Sequence, residues 1–279
     1  MKAIIFNSGL GTRMGDLTKN NPKCLLKLYN GETILERQIR ILSACGIIDF
    51  IITTGPFEEQ IIDILKKFKD SNFTFVKNED YLNTNYIVSM NNAYDYLDDD
   101  VLLLHGDLVF NKELVKKILE AKEKALCLFN PKKALPQKDF KGRFKDNILQ
   151  EVSINIFNSD CFAFQPLYKL DKDTIYVWKQ KVKEFVEEGN TKVYAENALN
   201  KVTKYITIKG MSYEDDYIDE IDNIDDYNRV SNEIMYFDKL GDVHQKFTSD
   251  WNLRGIIKYI IVTYWKDLIL NFKCPKWWN

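Results

Sequence analysis

The feature that most constrains the fold is a short apolar run, residues 3–6, followed at once by a glycine-containing loop. A run of apolar residues with β-branched side chains is typical of a buried strand in a parallel sheet. Gly9 and Gly11 allow the chain after this strand to turn sharply, and they allow a ligand to approach the backbone closely. The sequence therefore predicts an α/β protein in which a strand delivers a ligand-binding loop to the edge of a sheet.

The elements predicted after this loop indicate a doubly wound, mostly parallel Rossmann-like sheet. Apolar spacing predicts helices over residues 32–45 and 58–68. Apolar runs predict strands over residues 47–54 and 73–76. Strands that alternate with helices are joined by right-handed crossovers, which make the strands parallel. Ligands of such sheets bind beyond the carboxyl ends of the strands, where the glycine loop is expected.

The rest of the chain is predicted from the same patterns. Strands are predicted over residues 101–104, 125–129, 148–152, 154–157, 160–164 and 205–208, and helices over residues 112–124, 173–188 and 193–199. Residues 131–147 hold six lysines or arginines, and we interpret them as a hairpin or lid that either meets a phosphorylated substrate or is simply solvated. We expect a main domain over residues 1–230 and a helical C-terminal extension over residues 231–279.

The loop and the segment after it carry groups that bind phosphate. Aligned backbone amides bind anionic oxygens, Arg13 can bind them in a bidentate fork, and Lys23 adds a compact positive charge. The pattern is neither the dinucleotide motif, because position 14 is Met, nor the Walker motif. The sequence predicts a polyphosphate site formed by Asn7, Ser8, Gly9, Leu10, Gly11, Thr12, Arg13 and Lys23.

The G-L-G-T-R-M segment at residues 9–14, followed by P-K-C-L-L at residues 22–26, resembles a family signature. The family is that of nucleotidyltransferases, which join a nucleoside triphosphate to a sugar phosphate or a small phosphorylated alcohol. The resemblance implies that the glycine loop holds the nucleotide and that Arg13 and Lys23 act in catalysis by neutralising its phosphates. Asn7 departs from the family, which usually has a small residue there.

Two aspartates are candidate ligands for Mg²⁺. Asp107 follows the predicted strand 101–104 and Gly106, and a carboxylate at the end of an apolar strand is well placed to bind Mg²⁺. In the family, an aspartate directly after this strand is a metal ligand, so the resemblance implies a metal-binding and catalytic role for Asp107. The E-I-D segment at residues 220–222 resembles a second family segment, which implies that Asp222 is the other ligand.

Other acidic and titratable residues near these positions are not assigned as metal ligands. Residues 98–100, an acidic triplet, are interpreted as a solvated turn. Asp225 and Asp226 are expected in the first turn of the next helix, where the helix dipole favours negative charge. His105 is either a hydrogen-bonded neighbour of the site or a catalytic group.

Further segments suggest which nucleotide and which acceptor are bound. Asn85 and Ser89 resemble an N-x-x-x-S segment of the family's cytidylyltransferase branch, which implies nucleotide binding; a capped helix start is the alternative. Glu196 lies in a segment that resembles the family's Y-x-E-x-A-L helix, which implies a substrate contact, with a capping or surface role as the alternative. Tyrosines can enclose a quaternary ammonium by cation–π attraction, and the candidates are Tyr81, Tyr86, Tyr213 and Tyr217, with Tyr86 and Tyr217 assigned to the acceptor.

These observations and the resemblance together predict an Mg²⁺-dependent cytidylyltransferase. It would transfer CMP from CTP to a small phosphorylated or phosphonate acceptor, such as phosphocholine, and release pyrophosphate. One alternative is a sugar-1-phosphate nucleotidyltransferase that uses UTP, dTTP or CTP. A second alternative is a nucleotide-binding protein without catalytic activity.

Composition excludes several other classes of partner. With 39 basic and 41 acidic residues, the formal charge of −2 provides no field that attracts nucleic acid. The five cysteines have no C-x-x-C spacing, which argues against a disulfide framework or a zinc site and favours a reducing cytoplasm. We expect no signal peptide and no membrane insertion. Residues 253–272 are apolar but interrupted by charges, and they either pack on the domain, form a homo-oligomer contact or lie on a membrane surface.

Overall fold

The computed structural model describes the backbone of residues 1–249 and the side chains of residues 1–239. The chain divides into two units, Met1–Met235 and Tyr236–Asn279, whereas the sequence places the boundary at residue 230. The prediction made for residues 253–272 lies outside the described residues. In the part of the chain that the structure describes, no helix is both long and apolar enough to cross a membrane.

The first four strands form the parallel half of a nine-stranded sheet. They are β1 (Lys2–Phe6), β2 (Asp49–Thr54), β3 (Asn72–Lys77) and β4 (Val101–His105), in the order β3-β2-β1-β4. The connections contain helices α1 (Ile34–Ser43), α2 (Glu58–Leu65) and α3 (Tyr86–Asn92). All three strand pairings in this half are parallel, so the predicted doubly wound α/β arrangement is confirmed.

The rest of the chain completes the sheet with both parallel and antiparallel strands and adds a separate pair of strands. Its elements are β5 (Leu108–Phe110), β6 (Leu126–Asn130), β7 (Lys141–Lys145), β8 (Ile148–Ser153), β9 (Cys161–Leu170), β10 (Lys209–Ser212) and β11 (Ile218–Glu220), with helices α4 (Lys112–Glu120), α5 (Lys172–Glu187), α6 (Ala195–Val202) and α7 (Ile224–Ser249). The order continues from β4 as β9-β6-β10-β8-β7, with β9 antiparallel to both β4 and β6. Strands β5 and β11 form a separate antiparallel pair.

Two of the predicted strands are wrong. Residues 154–157 form no strand, because the N–H of Asn155 donates to the Ser153 hydroxyl and the chain bends there. The strand predicted over 205–208 begins only at Lys209, because the N–H of Tyr205 donates to the carbonyl of Val202 in the turn that ends α6. Between β6 and β7, residues 131–140 form a loop, which we call the 131–140 loop. The hairpin or lid predicted over residues 131–147 is therefore placed too early, because the hairpin is formed by β7 and β8.

Two apolar layers cover the sheet and fix the position of β1. Side chains alternate along a strand, so Ile4 packs with α3, α5 and α6 on one face, whereas Ile5 packs with α1, α2 and α4 on the other. The buried indole of Trp178 donates to the carbonyl of Ala195 at 3.0 Å, which ties α5 to α6. Because both faces are covered, β1 is held rigidly and presents its carboxyl end, with the glycine loop, at one edge of the sheet.

Candidate active site

The loops after β1 and β4 meet in a cleft of about 350 Å³ at the carboxyl edge of the sheet. The two strands are paired in register at Phe6 and His105, so the residues that follow each of them emerge side by side. At Gly106, a Cβ atom would overlap the side-chain oxygen of Asn7 and would lie 2.7 Å from the carbonyl oxygen of Phe6. Only glycine allows the two loops to come this close.

The structure brings the predicted cations and the predicted metal ligands together in this cleft. The Lys23 ammonium donates to Asp107 Oδ2 at 2.5 Å and to Asp222 Oδ1 at 3.1 Å. Arg13 Nη2 donates to the same oxygen of Asp222 at 2.9 Å. Lys23 begins a short 3₁₀ turn directly after Pro22, whose extended backbone directs the lysine toward the cleft. Two cations and two carboxylates, distant in sequence, therefore share one site.

The charged state of this group follows from its surroundings. Burial alone would raise the pKa of Asp107, but the Lys23 ammonium beside it outweighs burial and holds the pKa below its ordinary value. Burial likewise favours a lower pKa for Lys23, yet Asp107 and Asp222 together raise it above the ordinary value. The pair is therefore ionised at neutral pH, with Lys23 protonated and Asp107 negative.

The cleft also contains an acidic trio, Asp139, Glu220 and Asp222, in which one oxygen from each residue lies within 4.8 Å of the others. Burial raises the pKa of Glu220 well above its ordinary value, and Asp107 and Asp222 raise it further. Burial also raises the pKa of Asp139, with Asp222 the next largest cause. Carboxylates this close oppose one another's ionisation, and a bound cation would relieve that repulsion. The trio is therefore suited to bind a cation.

These residues fit Mg²⁺. Asp107 Oδ1 is buried and has no hydrogen-bond partner among the described residues, so this oxygen can bind a ligand that the chain itself does not provide. All the donors are carboxylate oxygens, which hard divalent cations prefer. Asp107 and Asp222 were predicted from the sequence, whereas Asp139 and Glu220 were missed. For Glu220, the available signal was its position two residues before Asp222 in the E-I-D segment.

Most of the predicted nucleotide-binding residues line the cleft. These are Asn7, Ser8, Gly9, Gly11, Thr12, Arg13 and Asn85. Asn85 also caps α3, because its side-chain oxygen accepts from the N–H of Tyr86 at 2.7 Å. Leu10 does not line the cleft.

Ser89 lies behind the glycine loop instead of lining the cleft. It is fully buried, and its hydroxyl is hydrogen-bonded to the hydroxyl of Ser8 at 2.6 Å. The side-chain amide of Asn78 donates to the same Ser89 oxygen at 3.2 Å. The prediction of direct nucleotide binding by Ser89 is therefore corrected to support of the loop, because Ser8 stands between Ser89 and the cleft.

The three residues predicted to bind the acceptor lie in different places. Tyr86 lines the cleft, and its hydroxyl donates to Glu196. Glu196 is buried behind Tyr86, where it also accepts from the hydroxyl of Tyr168 at 3.0 Å, so a direct substrate contact is not what the structure shows. Tyr217 lines a different cavity, and its hydroxyl donates to Glu233 at 2.9 Å. Tyr217 is therefore not part of the cleft, and its assignment to the acceptor is corrected.

An aromatic wall lines the cleft beside Asp107, and two of its four members, Phe140 and Tyr194, were not predicted from the sequence. It consists of Tyr86, His105, Phe140 and Tyr194. The ring centroids of Tyr86 and His105 lie 4.7 Å apart, and those of Phe140 and Tyr194 lie 5.0 Å apart. These rings come from four separate parts of the chain, so no local pattern in the sequence could place them together.

Comparison with known proteins identifies the family of this chain. The sequence profile described as the MobA-like NTP transferase domain matches residues 3–162. This range contains the glycine loop, Lys23 and Asp107, and it is more than half of the chain.

Individual relatives agree with the family match. The chain is 26% identical over 233 residues to a choline-phosphate cytidylyltransferase of Haemophilus influenzae, covering 82% of this chain and 96% of the relative. It is 30% identical over 129 residues to a CTP:phosphoglutamine cytidylyltransferase of Campylobacter jejuni, covering 44% of this chain and only half of that protein. The structure of CTP:phosphocholine cytidylyltransferase from Streptococcus pneumoniae superimposes with a TM-score of 0.66 at 23% identity, covering 84% of this chain and 98% of that one, which shows the same fold.

Proposed function

This chain belongs to the family of the MobA-like NTP transferase domain, and we propose that it is an Mg²⁺-dependent cytidylyltransferase. It would transfer CMP from CTP to a small phosphorylated or phosphonate acceptor of the phosphocholine kind and release pyrophosphate. The observation that carries this proposal is the bridge that Lys23 forms between Asp107 and Asp222 beside the glycine loop. The choice of CTP is supported by the two relatives described above, whose names are those of cytidylyltransferases.

The reaction requires two anions to meet. An oxygen of the acceptor's phosphate or phosphonate attacks the α-phosphorus of CTP, a new P–O bond forms, and the bond to the pyrophosphate leaving group breaks. The attacking oxygen is already anionic, so no protein base or nucleophile is needed. The chain must bring the anions together and neutralise the charge on the α-phosphate and the leaving group.

The residues of the cleft are suited to these tasks. Backbone amides of the glycine loop would hold the triphosphate, and Arg13 and Lys23 would exchange their bonds with carboxylates for bonds with phosphate oxygens. Asp107, Asp139, Glu220 and Asp222 would hold Mg²⁺, which supplies Lewis-acid chemistry and a template for the reacting groups.

The aromatic wall supports an acceptor with a cationic head group. Aromatic faces attract cations that lie within about 6 Å of the ring centroid. Tyr86 and Tyr194 stand on this wall, and the acidic trio lies in the same cleft. A phosphorylated amine placed there would direct its cation to the rings and its phosphate to Lys23.

The test is a pyrophosphate-release assay with purified protein, Mg²⁺ and each of CTP, UTP, dTTP, ATP and GTP. The acceptor panel is phosphocholine, phosphoethanolamine, 2-aminoethylphosphonate and glucose 1-phosphate. We expect CTP to be used at least ten times faster than the other nucleotides, with one of the three amine acceptors. UTP or dTTP with glucose 1-phosphate outperforming every CTP reaction would overturn the proposal.

The matched variant for this assay is Asp107→Asn, which keeps the shape of the side chain. We expect its turnover to fall by about 10²–10³-fold while the circular dichroism spectrum is unchanged. Turnover equal to that of the wild type would remove Asp107 from the site.

A further inference from the structure

Asp219 joins three segments of the chain with one carboxylate. The side chain is largely buried in β11, and Oδ1 accepts from the backbone N–H of Glu220 at 3.0 Å. Oδ2 accepts from Lys133 Nζ at 2.9 Å and from Arg229 Nη1 at 2.5 Å. Lys133 belongs to the 131–140 loop and Arg229 to α7, so Asp219 connects this loop and α7 to β11.

Two of these regions, and the turn that leads into the third, supply the acidic trio. Asp139 comes from the 131–140 loop, Glu220 from β11, and Asp222 from the turn between β11 and α7. The contact with α7 also reaches this turn. Arg229 Nη2 donates to Asp226 Oδ1 at 3.1 Å, and Asp226 Oδ2 accepts from the backbone N–H of Asp222 at 3.3 Å.

The 131–140 loop is held at both ends. On one side, Lys133 is bound to Asp219. On the other side, the buried Lys141 donates to the carbonyl of Pro136 at 2.6 Å. Between these two anchors, the loop carries Asp139 and Phe140 into the cleft. Carboxylates this close repel one another, so the anchors hold Asp139 in an arrangement that its own charge opposes.

We propose that Lys133, Asp219 and Arg229 are positioning residues that preform the cation site. They hold Asp139 against Glu220 and Asp222, so that a divalent cation binds with the 131–140 loop closed over the cleft. The inference rests on the proposed function for the presence of the cation. It adds an ion-pair network that touches neither substrate nor cation and yet sets the affinity for the cation.

The chain offers a matched pair of lysines for the test. Lys132 is next to Lys133 and has an exposed side chain, and its ammonium lies 3.4 Å from Glu214, away from Asp219. The experiment titrates Mn²⁺ alone into the full chain and measures free Mn²⁺ by electron paramagnetic resonance. We expect Lys133→Met to raise the dissociation constant of Mn²⁺ about three- to fivefold and Lys132→Met to leave it unchanged.

The double variant Lys133→Met with Asp139→Asn shows whether Lys133 acts through Asp139. If it does, the effect of removing Lys133 disappears once Asp139 can no longer bind the cation as a carboxylate. An effect of Lys133→Met that is equally large in the Asp139→Asn background overturns the proposal. So do equal effects of Lys132→Met and Lys133→Met, and so does the absence of Mn²⁺ binding by the wild-type chain at millimolar concentration.

Hydrogen exchange provides a second readout that does not depend on activity. In the wild type, Mn²⁺ is expected to slow amide exchange in the 131–140 loop, and Lys133→Met is expected to weaken this protection. Arg229→Met tests the opposite side of Asp219 with the same readout. If these changes occur but no acceptor and nucleotide give turnover, the positioning network stands and the proposed function fails.

Discussion

The ammonium of Lys23 lies 2.5 Å from Asp107 Oδ2, although 84 positions separate the two residues in the sequence. A second bond, to Asp222, spans 199 positions. Both carboxylates and the ammonium are mostly buried, and buried charges are tolerated only when they are paired. The fold therefore holds three strongly interacting charges at the point where the loops after β1 and β4 meet, which is where phosphate groups are proposed to react.

Lys23→Met is expected to lower turnover by about 10²–10³-fold, because it removes the charge proposed to stabilise the α-phosphate and the leaving group. The measurement is kcat with saturating CTP and Mg²⁺. Lys27→Met is the matched control, since Lys27 is an exposed lysine four positions further along the chain. Equal activity of the two variants would contradict a catalytic role for Lys23.

The same variant is expected to change how stability depends on pH. Asp107 has a depressed pKa in the folded chain, so its ionised form stabilises the fold above its unfolded pKa of about 3.9. This contribution is lost as pH falls through the folded pKa. Lys23 has a raised pKa, and its contribution is fully present throughout the acidic and neutral range. The difference in Tm between wild type and Lys23→Met should therefore be larger at pH 7 than at pH 3, and a constant difference would contradict the pairing.

The sequence alone was sufficient to predict those site residues whose signal lies within one short segment of the chain. A buried strand followed by glycines predicts a ligand loop, and a strand followed by Gly106 and Asp107 predicts a carboxylate at the sheet edge; the structure places both beside one cleft. The direction of β9 was not predictable, because a strand that is buried along nearly its whole length shows no alternation that distinguishes parallel from antiparallel pairing. Asp139 was missed because only the path of the 131–140 loop brings it to Glu220.

The positions of Ser89 and Glu196 show a second limit of the sequence. Each belongs to a segment that resembles a binding motif, and each lies one layer behind the cleft, where it holds a residue that lines it. Sequence spacing identifies residues that belong to a site but does not tell which of them face the ligand. That distinction depends on contacts such as the one between Tyr86 and Glu196, which are 110 positions apart.

Gly9→Ala is expected to affect nucleotide binding and Gly55→Ala to affect stability. Apart from Gly9 itself and its two chain neighbours, no heavy atom of the described residues lies within 4 Å of the place where a Cβ at Gly9 would stand, so Gly9→Ala should leave Tm unchanged. Its effect should appear as an increased KM for CTP, because the added methyl group occupies space that the triphosphate needs. A Cβ at Gly55 would overlap the backbone oxygen of Ser8, so Gly55→Ala should destabilise the fold by about 1–3 kcal/mol. An unchanged KM for Gly9→Ala would show that the loop backbone does not contact the nucleotide closely.

Ser89→Ala is expected to destabilise the chain by about 1–2 kcal/mol, because it leaves the buried hydroxyl of Ser8 and the amide of Asn78 each without one partner. The KM for CTP should rise only a few-fold, since the loop keeps its backbone contacts. Urea unfolding and steady-state kinetics measure the two effects. A large loss of CTP binding with unchanged stability would instead support direct contact between Ser89 and the nucleotide.

Tyr86→Phe and Tyr217→Phe test whether the acceptor binds at the aromatic wall of the cleft or in the cavity beside α7. Removing the hydroxyl of Tyr86 takes one of two tyrosine donors from the buried Glu196 carboxylate, which should let the ring move and raise the KM for the acceptor about tenfold. Removing the hydroxyl of Tyr217 breaks its bond to Glu233, which lies outside the cleft, so kcat and both KM values should stay within about twofold of the wild type. The assay is initial-rate kinetics with varied acceptor at saturating CTP, with Tm measured for both variants. A Tyr217→Phe variant that loses acceptor affinity as strongly as Tyr86→Phe would show that Tyr217 moves into the cleft during the reaction.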